Sequence, residues 1–261
     1  MLFVLSPAKS LDFETPLGEL PFELPHTQAR FIGQSAELIE LLKTRTPADV
    51  AALMDLSDDL AQLNAKRYQA WRERHDSRTS RQALLAFNGD VYDGLQARTL
   101  TAEQFDWAQQ HIAILSGLYG VLRPLDRMRP YRLEMGTRLP NAHGKDLYAF
   151  WRPTIADCLN RQQRGVKEPV LVNLASEEYF RSVDRTRLKA RVVTCVFEEW
   201  HKGDYKIISF SAKRARGMMA RFAIETRPAT PEALRDFRSD GYRFSPDCSG
   251  ADRLVFRRKN P

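Results

Sequence analysis

The sequence predicts an α/β protein, a mixed sheet flanked by helices, built as one domain from residue 1 to residue 261. Three observations predict it. A short apolar run opens the chain, capped helix-periodic segments fill the region from about 27 to 116, and β-branched apolar runs separated by turn residues recur from about 169 to 261. Hydrophobic residues make up 43% of the 261 and charged residues 28%, a composition that supports a sizeable core and not a disordered chain.

Leu2 to Leu5 reads as the first strand: no basic region precedes it, so it makes a poor secretion signal. Pro16, Pro21 and Pro25 mark an extended surface crossing from Asp12 to His26. Phe31, Ile32, Leu38, Ile39, Leu41 and Leu42 fit one face of a helix. Thr46-Pro47 is an N-cap followed by proline at the first helical position, opening a helix to Met54. Ser57 caps the next helix, with acids early and Lys66 and Arg67 late, as the helix dipole favours. Thr101 and Gln104 form a capping box. The helix they open is expected to reach Ser116, with Gly117 as its left-handed stop. Val170 to Asn173, Arg191 to Phe197 and Lys206 to Phe210 read as strands, the last two joined across His201 to Asp204 by a hairpin. Ser211 then caps a helix through Arg221, Thr230-Pro231 starts a short one, and Gly241 to Phe244 with Leu254 to Arg257 closes the chain as a hairpin. The first strand is expected to join strands of the second half, in parallel and antiparallel pairs.

No stretch approaches the ~20 apolar residues of a membrane span, so no membrane partner is expected. Cys158, Cys195 and Cys248 stand far apart and read as reduced thiols of a cytoplasmic protein. His26, His75, His111, His143 and His201 show no metal-ligand spacing, so neither metal nor cofactor is expected. Net charge is +7, which permits a polyanion partner without demanding one.

Four stretches carry chemistry. Ser6-Pro7-Ala8-Lys9-Ser10 follows the first strand and reads either as a plain turn or as an anion-holding loop. Asn88 to Leu95 holds paired glycines and the carboxylates Asp90 and Asp93, which serve a tight turn or acid–base work. Gly117-Leu118-Tyr119-Gly120 resembles the hairpin of helix-hairpin-helix DNA-binding modules, whose glycines let backbone N–H groups approach a phosphate. Arg123, Arg127, Arg129, Arg132 and Arg138 follow it, although Pro124 and Pro130 interrupt any long second helix. Lys213, Arg214 and Arg216 fall early in a helix, where cations oppose the dipole unless an anion sits nearby. The plainer reading pairs them with acids such as Glu198 or Glu199.

Leu5-Ser6-Pro7-Ala8-Lys9, Phe87 to Tyr92, Leu115 to Gly136, Asn173 to Ser176 with Glu178-Tyr179, and Ala212 to Gly217 occur together in this order. On these motifs the chain is similar to the YaaA family over essentially its whole length. The resemblance implies a bacterial cytoplasmic protein of the hydrogen peroxide response, associated with limiting intracellular free iron and oxidative DNA damage. It also implies double-stranded DNA binding, an unusual α/β fold, a helix-hairpin-helix-like element and a positively charged groove. No settled enzymatic activity comes with it.

The expected DNA contacts are therefore Lys9, Gly117, Tyr119, Gly120, Arg123, Arg127, Arg129, Arg132, Lys213, Arg214 and Arg216. The favoured function is non-enzymatic binding of double-stranded DNA, mainly through phosphates. The alternative is a glycosylase-type enzyme acting on a nucleobase or nucleoside, with Asp90, Asp93, Asp126 or Asp146 as its carboxylate and Lys9 or Lys213 as its amine. Direct iron binding has the least support. One groove lined by the Ser6–Lys9 loop, the Gly117–Arg132 segment and the Lys213–Arg216 segment would sharpen the first two readings; separate faces would divide them.

Overall fold

A computed structural model of the chain describes residues 1–17, 20 and 22–259; Pro21 of the proline-marked crossing lies outside them. The chain opens with β1 (Leu2–Leu5) and two short strands, β2 (Ser10–Leu11) and β3 (Thr27–Gln28). The helices α1 (Ile32–Lys43), α2 (Pro47–Met54) and α3 (Asp58–Ala70) follow. Next come β4 (Arg81–Gln82), α4 (Ala83–Ala86), β5 (Phe87–Asn88), α5 (Asp90–Leu95) and α6 (Ala102–His111). They lead into β6 (Ile112–Ser116), β7 (Gly120–Leu122) and β8 (Asp126–Met128). The second half carries α7 (Leu147–Trp151), α8 (Thr154–Gln162), β9 (Val170–Asn173), α9 (Glu177–Phe180) and β10 (Arg191–His201). It ends with β11 (Asp204–Lys206), α10 (Ser209–Thr226), β12 (Arg243–Phe244) and β13 (Arg253–Arg258).

The architecture is α/β. An 8-stranded sheet runs in the order β12-β13-β10-β9-β1-β6-β7, with β11 paired to β10. The interior pairs are parallel, β13 with β10, β10 with β9, β9 with β1 and β1 with β6, while β7, β11 and β12 add antiparallel edges. As the sequence predicts, β1 joins strands of the second half. All four of its residues are buried, which a parallel strand covered on both faces requires. From β1 the chain passes to β6 on one side, whereas from β9 it passes to β10 on the other. The carboxyl ends of β1 and β9 thus flank a topological switch point, where open α/β sheets leave a crevice.

Several local signals act as expected. Thr46 caps α2 and Thr101 forms its capping box with Gln104; the Thr46 cap proves to be a capping box too, with Asp49. The hairpin between β10 and β11 turns at Lys202 and Gly203, both with positive φ, as a tight hairpin needs. Two expectations are corrected. The helix from Thr101 stops at His111, and Ile112–Ser116 is a strand paired with β1 and buried throughout. A strand buried on both faces shows no alternation, so its apolar run reads like the continuation of a helix. Further along, β11 ends at Lys206, and Ser209 and Phe210 already belong to α10, whose N-cap is Ile208.

Cys158, Cys195 and Cys248 are free thiols, the first two buried. Among the described residues no helix is long and apolar enough to cross a membrane.

Candidate functional site in the crevice beyond the parallel strands

Ser6 is the residue directly after β1, and it is pinned through its side chain and through its backbone. Its Oγ accepts a hydrogen bond from the Ser176 backbone N–H (2.8 Å), and its carbonyl accepts from the Tyr92 hydroxyl (3.0 Å). Ser176 follows β9 and caps α9. One bond therefore ties together the two loops that open the switch-point crevice. Just beyond, β2 pairs with β5, setting Ser10 opposite Asn88. That pairing lays the Lys9 loop beside the Gly89-Asp90 turn.

The far wall is α10, which crosses α5 at backbone contact. A Cβ on Gly217 would overlap the Val91 carbonyl oxygen, and one on Gly94 would overlap that of Arg214. Only glycine at both positions permits this approach. The crossing brings Asp90 and Asp93 of α5 beside Lys213, Arg214 and Arg216 of α10.

The result is a cavity of about 360 Å³, lined among others by Ser6, Lys9, Asp90, Glu134, Lys213 and Arg216. A second, larger cavity of about 630 Å³ adjoins it, sharing Asn88 and Asp90, with Asp93, Phe210 and Arg214 in its wall. Lys9 Nζ lies 2.9 Å from Glu134, which also holds Arg132 at 2.8 Å. Burial pushes the Glu134 carboxyl up, but Lys9 and Arg132 outweigh it and hold it below its usual value, hence anionic. Glu178 accepts from the Gly136 backbone N–H at 3.0 Å. The Tyr92 and Tyr179 hydroxyls are pushed up, first by burial, and stay neutral.

Arg216 differs from the other cations. Burial pushes its guanidinium pKa down, and no opposing acid raises it. Lys213, Arg214 and Arg216 have no ion-pair partner among the described residues. Glu198 and Glu199, the acids expected to meet them, pair with Arg257 and Arg258. Because α10 starts at Ser209, Lys213 lies in its second turn, so the dipole argument for a bound anion loses force and the unpaired Arg216 replaces it.

The glycine hairpin lies elsewhere. Gly117 to Gly120 is the buried turn between β6 and β7, with strands on both sides where a helix-hairpin-helix would have helices. The Gly117 carbonyl accepts from Trp151 Nε1 (2.8 Å), and a Cβ on Gly120 would lie 2.7 Å from the same indole. The Tyr119 hydroxyl accepts from Trp71 Nε1 and from the Arg129 backbone N–H, each at 3.0 Å. These residues close the core, and their backbone does not face solvent. Arg123 is bound to the buried Asp126 (2.8 Å), Arg129 donates to the Ala70 and Arg74 carbonyls, and the Arg127 Nε is buried. Arg132 reaches the site only through Glu134.

Of the candidate carboxylates, Asp126 is committed to Arg123, and Asp146 caps α7 through the Ala149 N–H. Asp90 and Asp93 have no such commitment. Glu134, Ser176 and Glu178 were not among the predicted site residues. They sit in the shared motifs, but no local pattern connects them to Ser6, so co-occurrence of motifs was the only signal.

Residues 1–248 match the family described as "Peroxide stress protein YaaA". The chain is 61% identical over 259 residues to the UPF0246 protein Bpet1601 of Bordetella petrii, covering 99% of this chain and 100% of that one. It is also 61% identical over 261 residues to a UPF0246 protein of Verminephrobacter eiseniae, covering 100% and 99%. A Polaromonas relative is 59% identical over 259 residues, 99% of each chain. With a match that spans nearly every residue and all the motifs that converge on the crevice, this chain belongs to the peroxide stress protein YaaA family.

Proposed function

We propose that the chain binds double-stranded DNA, holding phosphates with Lys213, Arg214 and Arg216 of α10 and with Lys9 at the mouth of the switch-point crevice. The observation that carries this reading is Arg216, a half-buried cation that lowers its energy only when an anion arrives. Lys213 and Arg216 are one turn apart on α10 and line the same cavity, so successive phosphates meet a row of donors. The glycine hairpin takes no part, and Arg123, Arg127 and Arg129 serve the fold. Family membership supplies the peroxide-stress setting. The role this reading assigns within it is limiting oxidative DNA damage, with lower free iron as an accompanying effect.

Fluorescence anisotropy of a labelled duplex, titrated between about 50 and 200 mM salt, tests it. Four phosphate contacts give log K against log salt a slope of about −3 to −4. Lys213→Ala should reduce that slope by about one. A slope near zero would overturn the reading.

One observation favours a second reading. Asp90 lines both cavities without a partner among the described residues, as the carboxylate of a glycosylase-type enzyme would. Lys213 is then the available amine, since Lys9 is held by Glu134. Borohydride trapping on lesion-bearing duplexes decides it, and a Lys213→Ala variant that still traps would remove Lys213 from that role.

A further inference from the structure

Phe210 is 64% exposed, more than any other large hydrophobic residue among those described. It lies in the first turn of α10 and lines the larger cavity. Trp200 and Ile207 are also exposed, but the Trp200 ring is covered by Lys259 at 4.8 Å and edged by Tyr205 at 5.1 Å. Neither Trp200 nor Ile207 lines the cavity. Phe210 thus offers an open ring face beside a recess. Leu84, Leu85 and Phe87 give that recess an apolar floor. Asn88, Asp90, Asp93 and Gln96 add polar side chains to its wall that hold no partner among the described residues. Asp12, by contrast, is taken by Arg81 and Arg98.

A flat apolar ring with hydrogen-bonding edges meets both features. Aromatic side chains stack nucleobases, and unpaired carboxylates accept from exocyclic amino groups. The adjoining smaller cavity supplies the complementary half: Ser6, Lys213 and Arg216, with Arg214 one turn beyond Phe210 on the same helix. That turn spans about 6 Å along the axis, a fitting offset between a base and its phosphate. The two cavities share Asn88 and Asp90 and stand at the switch point of a parallel sheet, where such folds take nucleotides.

We propose that the paired cavities form a site for one nucleoside monophosphate unit, its base stacked on Phe210 and its phosphate held by Lys213, Arg214 and Arg216. The carboxylates Asp90 and Asp93 select bases that carry an amino group over thymine. The unit comes either free or as an unpaired residue of DNA. This inference rests on the phosphate-binding role given above to the same cations, but not on duplex binding.

Calorimetric titration of the intact protein with dAMP, dCMP, TMP and inorganic phosphate tests it. The expected result is dAMP or dCMP binding at least fivefold tighter than TMP and tenfold tighter than phosphate. Phe210→Ala, an exposed position that leaves the fold intact, should weaken dAMP at least tenfold and leave phosphate unchanged. Phe210→Trp should keep dAMP binding. In a second arm, a duplex with one bulged adenine is compared with its fully paired counterpart. A bulge preference that Phe210→Ala abolishes identifies the unit as part of DNA; nucleotide binding without that preference identifies it as free. No nucleotide binding together with no bulge preference overturns the inference, as does full dAMP affinity in Phe210→Ala. A flat salt dependence on paired duplex, with dAMP still bound, overturns the duplex reading alone.

Discussion

Arg216 shows how one residue records a missing partner. Other semi-buried arginines at the rim of the core carry acids of their own, as Arg258 does with Glu199 and Asp240 and Arg123 with Asp126. A charge withdrawn from water without such an acid costs stability in the free protein and recovers it only when an anion binds. Arg216→Leu should therefore hold or raise thermal stability, by up to about 1 kcal/mol, while DNA affinity falls at least tenfold. A melting curve and a binding titration on the same preparation check both halves, and a loss of stability would show that Arg216 is structural. Asp126→Ala should do the reverse. It strips Arg123 of its buried partner and costs about 3 kcal/mol or more, with the salt slope of DNA binding unchanged. This contrast explains which site residues were legible in the sequence. Lys213, Arg214 and Arg216 could be picked out because a cation-rich run is visible in one dimension, and Lys9 because it sits in a hydroxyl-bearing loop directly after a strand. Arg123, Arg127 and Arg129 look the same there, and only the fold shows that Asp126 and backbone carbonyls have claimed two of them.

At the scale of elements, the crossing of α5 and α10 decides whether the crevice exists. Their backbones touch through Gly94 and Gly217, and α10 buries Ala212, Ala215, Met219 and Ala220 beside that contact. Gly217→Ala should push the helices apart and cost about 2–3 kcal/mol, which lowers the melting temperature by roughly 5–10 °C in a chain of this size. Binding should weaken as well, because Lys213 and Arg216 move away from Asp90 and Ser6. A Gly217→Ala variant with unchanged stability would show that α10 can pivot freely. The capping box at Thr101, the proline-led helix and both hairpins were legible, since each rests on neighbours within a few residues. The end of α6 was not. His111 gives way to five buried residues of β6, and nothing local separates a buried strand from one more helical turn when its partner, β1, lies more than a hundred positions away.

At the scale of the whole molecule, the order of the sheet was closed to sequence reading, because it depends on which distant strands meet; the bond between Ser176 and Ser6 is its outcome. The same long-range assembly shapes how the molecule meets acid, and two groups illustrate it. His75 sits edge-on to Trp71 and Tyr119, and its Nδ1–H donates to the Arg127 carbonyl at 2.9 Å, so Nε2 is the bare nitrogen. Burial pushes its pKa down; the bond to Arg127 and nearby Asp76 oppose this, and the Arg127 and Arg129 charges add to it. Asp12 has the opposite origin. Burial pushes its carboxyl up, but hydrogen bonds from Thr15, Arg98 and the Glu14 backbone bring it down to about 2. Both groups bind protons more readily in the unfolded chain, so both make stability fall as pH falls. The His75 contribution is complete above about pH 6.5 and lost between there and its lower folded value. The Asp12 contribution is complete above about pH 4 and lost as pH falls through about 2. Urea midpoints measured from neutral pH downward should therefore drop in two separate stages. His75→Phe, which keeps an aromatic ring in the pocket, should shrink the upper stage to the share of His111, which burial also pushes down, and leave the lower stage unchanged. Asp12→Asn should be less stable at neutral pH, with its deficit against the parent shrinking toward zero near pH 2. A single-stage profile, or an upper stage unchanged in His75→Phe, would remove His75 from this account.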